Sequence, residues 1–151
     1  MSASPTIDGA RWTPLVRVQG RSMQPTLAHG QLLLTRPTLR RVKVGDIVVL
    51  TAGRHARHVK RIAAGPGDVV ELEAGRLFFN QQAQDGRPRS AGARVETWRV
   101  PRGHFFVVGD NPLQSDDSRV WQEPFVAQSR IIAVALPNLL RRRGRPPPRA
   151  G

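Results

Sequence analysis

The sequence contains no cysteine and no long uninterrupted run of apolar residues. Without cysteine the chain has no disulfide framework, no thiolate metal site and no cysteine nucleophile, although its compartment stays undetermined. The longest apolar runs, Leu32–Leu34 and Ile131–Leu136, fall far short of the roughly 18 residues that a transmembrane helix needs. The start, MSASPTIDGARW, lacks a basic stretch followed by an apolar block, so it does not predict a secretion signal. As written, the chain is expected to have no membrane-spanning segment.

Histidines are few and show no metal-ligand spacing on a helix, so we expect no metal and no cofactor. They are His29, His55, His58 and His104.

The chain of 151 residues is long enough for one domain with a core, and its 13 prolines favour strands joined by turns. Strand-sized apolar or alternating runs are punctuated mostly by Gly, Pro, Asp or Asn, which predicts a mainly β domain with short helical turns. The runs are 14–18, 32–35, 47–50, 58–63, 69–73, 77–79, 97–100, 105–108 and 131–136. Residues 73–76 predict a hairpin turn, and the polar segment 81–93 predicts a loop or a small excursion from the sheet.

The net charge is +13, and five arginines lie between Arg141 and Arg149. Three parts are predicted: a polar lead (1–10), the domain (11–138) and a basic, Pro/Arg-rich tail (139–151) that cannot bury apolar surface and is expected to be disordered. Even without the tail, the body carries 19 basic and 11 acidic residues, a charge of +8. Such a charge suits anionic lipid headgroups or nucleic acid, and composition alone does not separate the two.

Three segments carry residues that could do chemistry, and the first is GRSMQPTL, residues 20–27. Ser22 lies in a constrained bend between Gly20 and Pro25. Such a bend, which includes Met23, can expose the hydroxyl and direct backbone N–H groups at one point, as an oxyanion hole requires. A serine near Gly and Pro is also a common turn residue.

The second segment is HVKRIAAGPGD, residues 58–68, in which strand alternation puts His58, Lys60 and Ile62 on one face. If Lys60 faces the core, desolvation would lower the pKa of its ammonium, and the neutral amine could take a proton from a serine hydroxyl. The simpler alternative is that Lys60 reaches solvent, like most lysines.

The third segment is GDNPLQSDDSRVW, residues 109–121, which holds three of the eleven acids. Its short polar side chains could form hydrogen bonds with the backbone of the same loop, as in Asx-type turns. Alternatively, one of its hydroxyls could orient a catalytic lysine by a hydrogen bond. A structural loop held by an Asp117–Arg119 or Asp110–Arg contact is the alternative. A calcium loop is a further one, but the spacing fits no EF-hand.

In this order and at these separations, the three segments resemble the conserved boxes of type I signal peptidases, and the similarity runs from about Val18 to Leu136. The resemblance implies a mostly antiparallel, barrel-like β fold and acyl transfer by a Ser–Lys dyad. Ser22 would be the nucleophile and Lys60 the general base. Ser115 would position Lys60, while Asp117 and Arg119 would form a supporting ion pair.

The sequence also departs from that family. Gly20 stands where some members carry a serine whose hydroxyl helps to bind the oxyanion. Ala64-Gly65 replaces the usual Gly-Leu, and Gln122 replaces a usual Gly, although neither change touches the dyad. The larger departure is that the chain resembles a small member without an N-terminal membrane anchor.

The favoured function is therefore removal of leader segments from precursor proteins after small residues, with docking on an anionic membrane surface. Peripheral membrane association or the cytoplasm is the expected location. The alternative is a soluble maturation peptidase for one dedicated partner, such as the leader of nickel-type superoxide dismutase. Self-cleaving repressors share the chemistry, but they need a DNA-binding domain and a self-cleavage site before the serine. Only 21 residues precede Ser22 in this sequence, and they contain no helix-turn-helix, so a repressor is not expected. A non-enzymatic nucleic-acid binder would leave the paired Ser and Lys boxes unexplained, and no aromatic-basic RNA motif is present.

Overall fold

A computed structural model of the chain describes residues 6–7, 10–11, 14–38, 41–87, 92 and 94–136. Regular structure in these residues is almost entirely β-strand. The strands are β1 (Thr6–Ile7), β2 (Ala10–Arg11), β3 (Leu15–Arg17), β4 (Leu32–Pro37), β5 (Ile47–Ala52), β6 (Ala56–Ala64), β7 (Val69–Glu73), β8 (Arg76–Phe79), β9 (Gln82–Ala83), β10 (Val95–Arg99), β11 (His104–Val108), β12 (Phe125–Ala127) and β13 (Ile131–Ala135). Two single-turn 3-10 helices cover Pro112–Gln114 and Gln128–Arg130. No helix in the described ranges is long and apolar enough to cross a membrane.

Every strand pairing among the described residues is antiparallel, which confirms the predicted architecture. The large sheet has the order β12-β11-β6-β5-β13-β4-β3, and the small sheet has the order β10-β7-β8-β9. A separate pair is formed by β1 and β2. Among the described residues neither sheet closes on itself, so the fold is an open, curved version of the barrel-like expectation.

The curvature of the large sheet brings distant strands together. β3 and β6 lie four places apart in the strand order. Nevertheless Val16 of β3 and Val59 of β6 pack against the same cluster of Val49, Ile132 and Ala133. The sheet therefore curls around its own apolar inner face, which places the loop after β3 over the middle of β6.

The central strands of the large sheet form the core. All five residues of β13 are buried, as are the first four of β5, because both faces of these strands are covered by protein. A second cluster, which includes Phe106 and Val108 of β11 together with Val70 and Leu77, joins the large sheet to the small one.

All nine predicted strand-sized runs overlap observed strands. The predicted hairpin turn is also present, since Glu73 pairs with Arg76 across Ala74 and Gly75, both of which have positive φ. In the described part of the predicted segment 81–93, β9 adds to the edge of β8, so this part is an excursion of the small sheet. The predicted tail at 139–151 lies outside the described residues.

Candidate active site

Ser22 lies in the turn that follows β3, and the core fixes this turn from below. Met23 and Leu27, which are 1% and 0% exposed, enter the apolar cluster under the sheet. The Leu27 N–H donates to the Met23 carbonyl at 2.9 Å. Gly20 has φ +81°, a left-handed conformation that favours glycine. These contacts fix the conformation of the turn, and Ser22 is half-buried within it.

Lys60 lies in the middle of β6, between β5 and the end of β11. Its residue surface is 3% exposed, so the alternative in which it reaches solvent is wrong. Burial lowers the pKa of the Lys60 amine, while the carboxylates of Asp117 and Asp116 oppose that change. Lys60 Nζ donates to Ser115 Oγ at 3.0 Å.

The carboxylate of Asp117 holds the loop that contains Ser115. It is fully buried and accepts hydrogen bonds from Ser115 Oγ at 2.5 Å and from the Gly109 N–H at 2.8 Å. Arg119 adds two further bonds, from Nε at 2.8 Å and from a terminal nitrogen at 2.5 Å. Burial alone would raise the pKa of the Asp117 carboxyl, but the hydrogen bonds from Arg119, Ser115 and Gly109 lower it below its usual value. Asp117 is therefore an ionised acceptor.

The turn that contains Ser22 and the loop that contains Ser115 touch at Gly109. A Cβ built at this position would overlap Ser115 Oγ and lie 2.5 Å from the Ser22 carbonyl oxygen. The next residues continue the contact, since the Asn111 N–H donates to the Ser22 carbonyl at 2.9 Å. Only a residue without a side chain lets the Ser22 turn and Ser115 approach each other this closely.

A second ion pair links the Ser22 turn to β6. Arg61 donates to both oxygens of Asp110, at 2.8 and 2.6 Å, and Thr26 Oγ1 donates to the same carboxylate at 2.5 Å. Hydrogen bonding to Asp110 raises the pKa of the Arg61 guanidinium. Burial alone would raise the pKa of the Asp110 carboxyl, but the bonds from Arg61 and Thr26 lower it. This bidentate bridge fixes the strand of Lys60 relative to the turn of Ser22.

Ser22 and Lys60 line one cavity of about 430 Å³, which opens between β3 and β6. His58 lines it too, and its ring stands edge-on to Trp121 with 6.2 Å between ring centroids. Burial, followed by the charge of Lys60, lowers the pKa of His58. The cavity is thus lined by a serine and by a buried lysine, the two residue types that nucleophilic catalysis without a histidine can use.

Of the predicted residues, Ser115, Asp117 and Arg119 form one hydrogen-bonded chain to Lys60, while Gly20, Met23 and Pro25 shape the turn of Ser22. Sequence reasoning did not identify the close approach at Gly109 or the bridge through Thr26. A sequence feature that could have indicated these contacts is that Gly109 and Asp110 begin the third segment, immediately after a strand.

Replacing Gly109 with alanine should destabilise the fold, because the new methyl group must displace Ser115 or the Ser22 turn. We expect a loss of about 1–3 kcal/mol in the free energy of unfolding, the range typical of overpacking. Urea denaturation followed by circular dichroism measures it.

Gly65→Ala is the matched control, since a Cβ there meets only ordinary contacts at 3.8–3.9 Å and the residue is also buried. Its free energy of unfolding should stay within about 1 kcal/mol of wild type. Equal losses in the two variants would contradict the close approach at Gly109.

The comparisons of this chain with known proteins agree on one family. The family model described as signal peptidase, peptidase S26, matches residues 7–138. The signal peptidase I of Bacillus licheniformis is 34% identical over 118 residues, covering 68% of this chain and 63% of that protein. The signal peptidase I of Bacillus amyloliquefaciens is 31% identical over 135 residues, covering 78% and 69%.

Two further similarities come from a plant protein and a solved structure. The chloroplastic thylakoidal processing peptidase 1 of Arabidopsis thaliana is 32% identical over 121 residues, covering 69% of this chain and 36% of that protein. A crystal structure of a signal peptidase I from Enterococcus faecalis gives a TM-score of 0.48 at 27% identity, covering 64% of this chain and 98% of that one.

The chain spans 63% of the length of the Bacillus licheniformis protein, so the match covers a large part of that relative but not all of it. Since the family model extends over most of the chain, including all three segments singled out above, the chain belongs to the signal peptidase family, peptidase S26.

Proposed function

We propose that this protein is a serine endopeptidase of the signal peptidase I type, which removes leader segments from precursor proteins with a dyad of Ser22 and Lys60. The observation that carries the proposal is the buried Lys60 amine, which lines the same cavity as the Ser22 hydroxyl. Membership in the signal peptidase family supports the same function.

In the proposed reaction, neutral Lys60 Nζ takes the proton of Ser22 Oγ, and the oxygen attacks the carbonyl carbon of the scissile peptide bond. The C–N bond then breaks, the leaving amine receives the proton from Lys60, and the acyl group stays on Ser22 as an ester. Water attacks the ester while Lys60 takes its proton, and Ser22 Oγ leaves with that proton. The cycle restores both side chains.

The supporting residues have separate roles in this proposal. Because the Ser115 hydroxyl donates its proton to Asp117, its oxygen accepts from Lys60, which aims the lone pair of the amine elsewhere. The Ser22 N–H, which makes no hydrogen bond within the described part of the chain, can donate to the developing oxyanion. One such donor is typically worth about 10²–10³ in rate.

The proposal is tested by incubating the full chain with a leader-bearing precursor in detergent or lipid. Wild type should cut after a small residue, as read by mass spectrometry of both products. Ser22→Ala and Lys60→Met should each lower kcat by at least about 10³, because nucleophile and base act as one unit. Lys60→Met keeps the length of the buried side chain without its amine.

Ser129→Ala and Lys43→Met are matched controls, because both residues are exposed and lie outside the cavity. Each should cleave at the wild-type rate. Full activity in either dyad variant would rule out the mechanism. If folded wild type leaves generic precursors intact, the substrate is instead one dedicated partner, and cleavage of that partner must still require both dyad residues.

The same dyad predicts the direction of the pH dependence. Since burial lowers the pKa of Lys60 below its ordinary 10.5, the neutral fraction grows as pH rises through that lowered value. We expect kcat/KM to rise with pH along its acid limb, with a midpoint below 10.5. Because the Asp116 carboxylate raises the pKa of Lys60, Asp116→Asn should move the midpoint to lower pH.

The amide introduced by Asp116→Asn would keep an oxygen where the carboxylate now accepts from Trp121 Nε1 at 3.0 Å, so the substitution removes charge with little change in structure. Glu123→Gln serves as the control, because this exposed carboxylate does not contribute to the lowered pKa of Lys60. Its profile should match wild type. A midpoint that stays in place or moves upward in Asp116→Asn contradicts Lys60 as the base.

We also propose that the protein works at an anionic membrane surface, docked through an edge patch on β3 and β4. The register pairs Leu15 with Leu34 and Arg17 with Leu32, so these four side chains share one face of the sheet. Leu15 and Leu32 are 51% and 48% exposed, and Arg17 is exposed beside them. Leucines within a basic surface suit the boundary between anionic headgroups and acyl chains.

Co-sedimentation with vesicles tests this docking. Wild type should bind vesicles with about 30% anionic lipid more strongly than neutral ones. Leu15→Ser/Leu32→Ser should weaken binding roughly 30-fold, since each leucine contributes on the order of 1 kcal/mol. Leu113→Ser, at a 93% exposed position elsewhere, is the control. The arginines at 141–149 are present in every variant, so equal binding of all variants would exclude the edge patch.

A further inference from the structure

The pairing of β3 with β4 continues past the end of β3. The Val18 N–H donates to the Gln31 carbonyl at 2.8 Å, and the Val18 carbonyl accepts from the Gly30 N–H at 2.8 Å. Alternate residues of a strand point their N–H groups to the same side, so the next donor toward β4 is the Gly20 N–H. Its acceptor is Nδ1 of the His29 ring, at 2.9 Å. A side chain thus extends the ladder beyond its backbone bonds.

A tight turn explains why a side chain takes this position. The Gln31 N–H donates to the Ala28 carbonyl at 3.2 Å, and Gln31 Oε1 accepts from the Ala28 N–H at 2.9 Å. Gly30 has φ +81°, a left-handed conformation that lets the chain reverse here. Because the Ala28 carbonyl is used within this turn, the ladder continues through the ring of the neighbouring His29.

The bond determines which nitrogen of the His29 ring carries a hydrogen. A backbone N–H can only donate, so His29 Nδ1 must be unprotonated, and the hydrogen of the neutral ring lies on Nε2. His104 shows the opposite arrangement, since its Nδ1 lies 2.9 Å from the Arg102 carbonyl oxygen, which can only accept. His29 is therefore an acceptor for the backbone, whereas His104 is a donor to it.

The start of the turn that contains Ser22 is the part that packing restrains least. Gly20 is exposed, and a Cβ built there meets no atom of the described chain within 4 Å. Further along, Met23 is buried in the core, and the Arg21 carbonyl accepts from Asn111 Nδ2 at 3.2 Å. Since glycine is the most flexible residue of the backbone, the position of this amide depends on its bond to the histidine ring.

We infer that His29 is a positioning residue for the reaction: by accepting the Gly20 N–H, it holds the start of the turn and so fixes the hydroxyl and the N–H of Ser22. The inference rests on the proposed peptidase function, in which Ser22 attacks the scissile carbonyl and its N–H binds the oxyanion. His29 does not line the cavity that Ser22 and Lys60 share, so it acts through Gly20 rather than on the substrate. Its loss should slow the chemical step and leave substrate binding almost unchanged.

Two substitutions of nearly equal shape separate the hydrogen bond from the bulk of the side chain. His29→Asn places Oδ1 at the same number of bonds from the backbone as Nδ1, so it keeps an acceptor, whereas His29→Leu has a methyl group there. With a leader-bearing precursor as substrate, His29→Leu should lower kcat about three- to tenfold, the effect of one neutral hydrogen bond. KM should stay within about twofold of wild type, and His29→Asn should recover most of the lost kcat.

His104→Leu is the matched control, because this histidine also contacts the backbone through Nδ1 but lies at the start of β11, outside the cavity. Its kcat should equal that of wild type. A wild-type kcat in His29→Leu, or an equal loss in His29→Leu and His29→Asn, would overturn the inference, while Ser22-dependent cleavage keeps the peptidase function. Failure of folded wild type to cleave any precursor would overturn the proposed function, and the inference with it.

The position of the ring hydrogen can be measured without substrate. Long-range proton–nitrogen NMR of wild type with isotope-labelled histidine, at about pH 8 and so above the ordinary titration range of histidine, should show the His29 hydrogen on Nε2 and the His104 hydrogen on Nδ1. The spectrum of His29→Asn assigns the signal by its loss. A hydrogen on Nδ1 of His29 would overturn the inference whatever the cleavage assay gives.

Discussion

The buried carboxylate of Asp117 is the acceptor on which the geometry of the site depends. It receives the Gly109 amide from the end of β11, the guanidinium of Arg119 and the hydroxyl of Ser115. A carboxylate with no exposed surface is stable only when its oxygens are satisfied in this way. Because the loop must supply all these donors at once, it can take few other conformations, and Ser115 is delivered to Lys60 as a result.

Two loops, rather than strand pairing, bring β3, at one edge of the large sheet, close to β11 and β6. The turn after β3 meets the loop after β11 through the Ser22 carbonyl, which accepts from the Asn111 amide, and through the bridge of Thr26 to Asp110. Glycine at 109 permits this approach, and the buried Met23 holds the turn from the other side. The cavity that Ser22 and Lys60 line exists because these contacts hold β3 over β6, while the described part of the sheet stays open.

Sequence could predict the nine main strands because glycine, proline and short polar residues interrupt the apolar runs at nearly every strand end. It missed β1, β2, β9 and β12, which have only two or three residues each and therefore show no period. The dyad and Ser115 were predicted by resemblance to whole motifs, whereas local patterns left Lys60 undecided between core and solvent. The contact of Thr26 with Asp110 joins residues 84 positions apart and has no local signature at all.

If Lys60 acts as the general base, as proposed, the serine between Lys60 and Asp117 resolves an electrostatic conflict. A carboxylate in direct contact with the Lys60 amine would favour its charged form, which cannot take a proton. Ser115 instead presents a neutral oxygen to Nζ at 3.0 Å and passes its own proton to Asp117. Lys60 is therefore held by a hydrogen bond that an uncharged amine also makes, and the ion-pairing capacity of Asp117 goes to Arg119. Burial can then lower the pKa of Lys60 without loss of its position, which a direct ion pair would not allow.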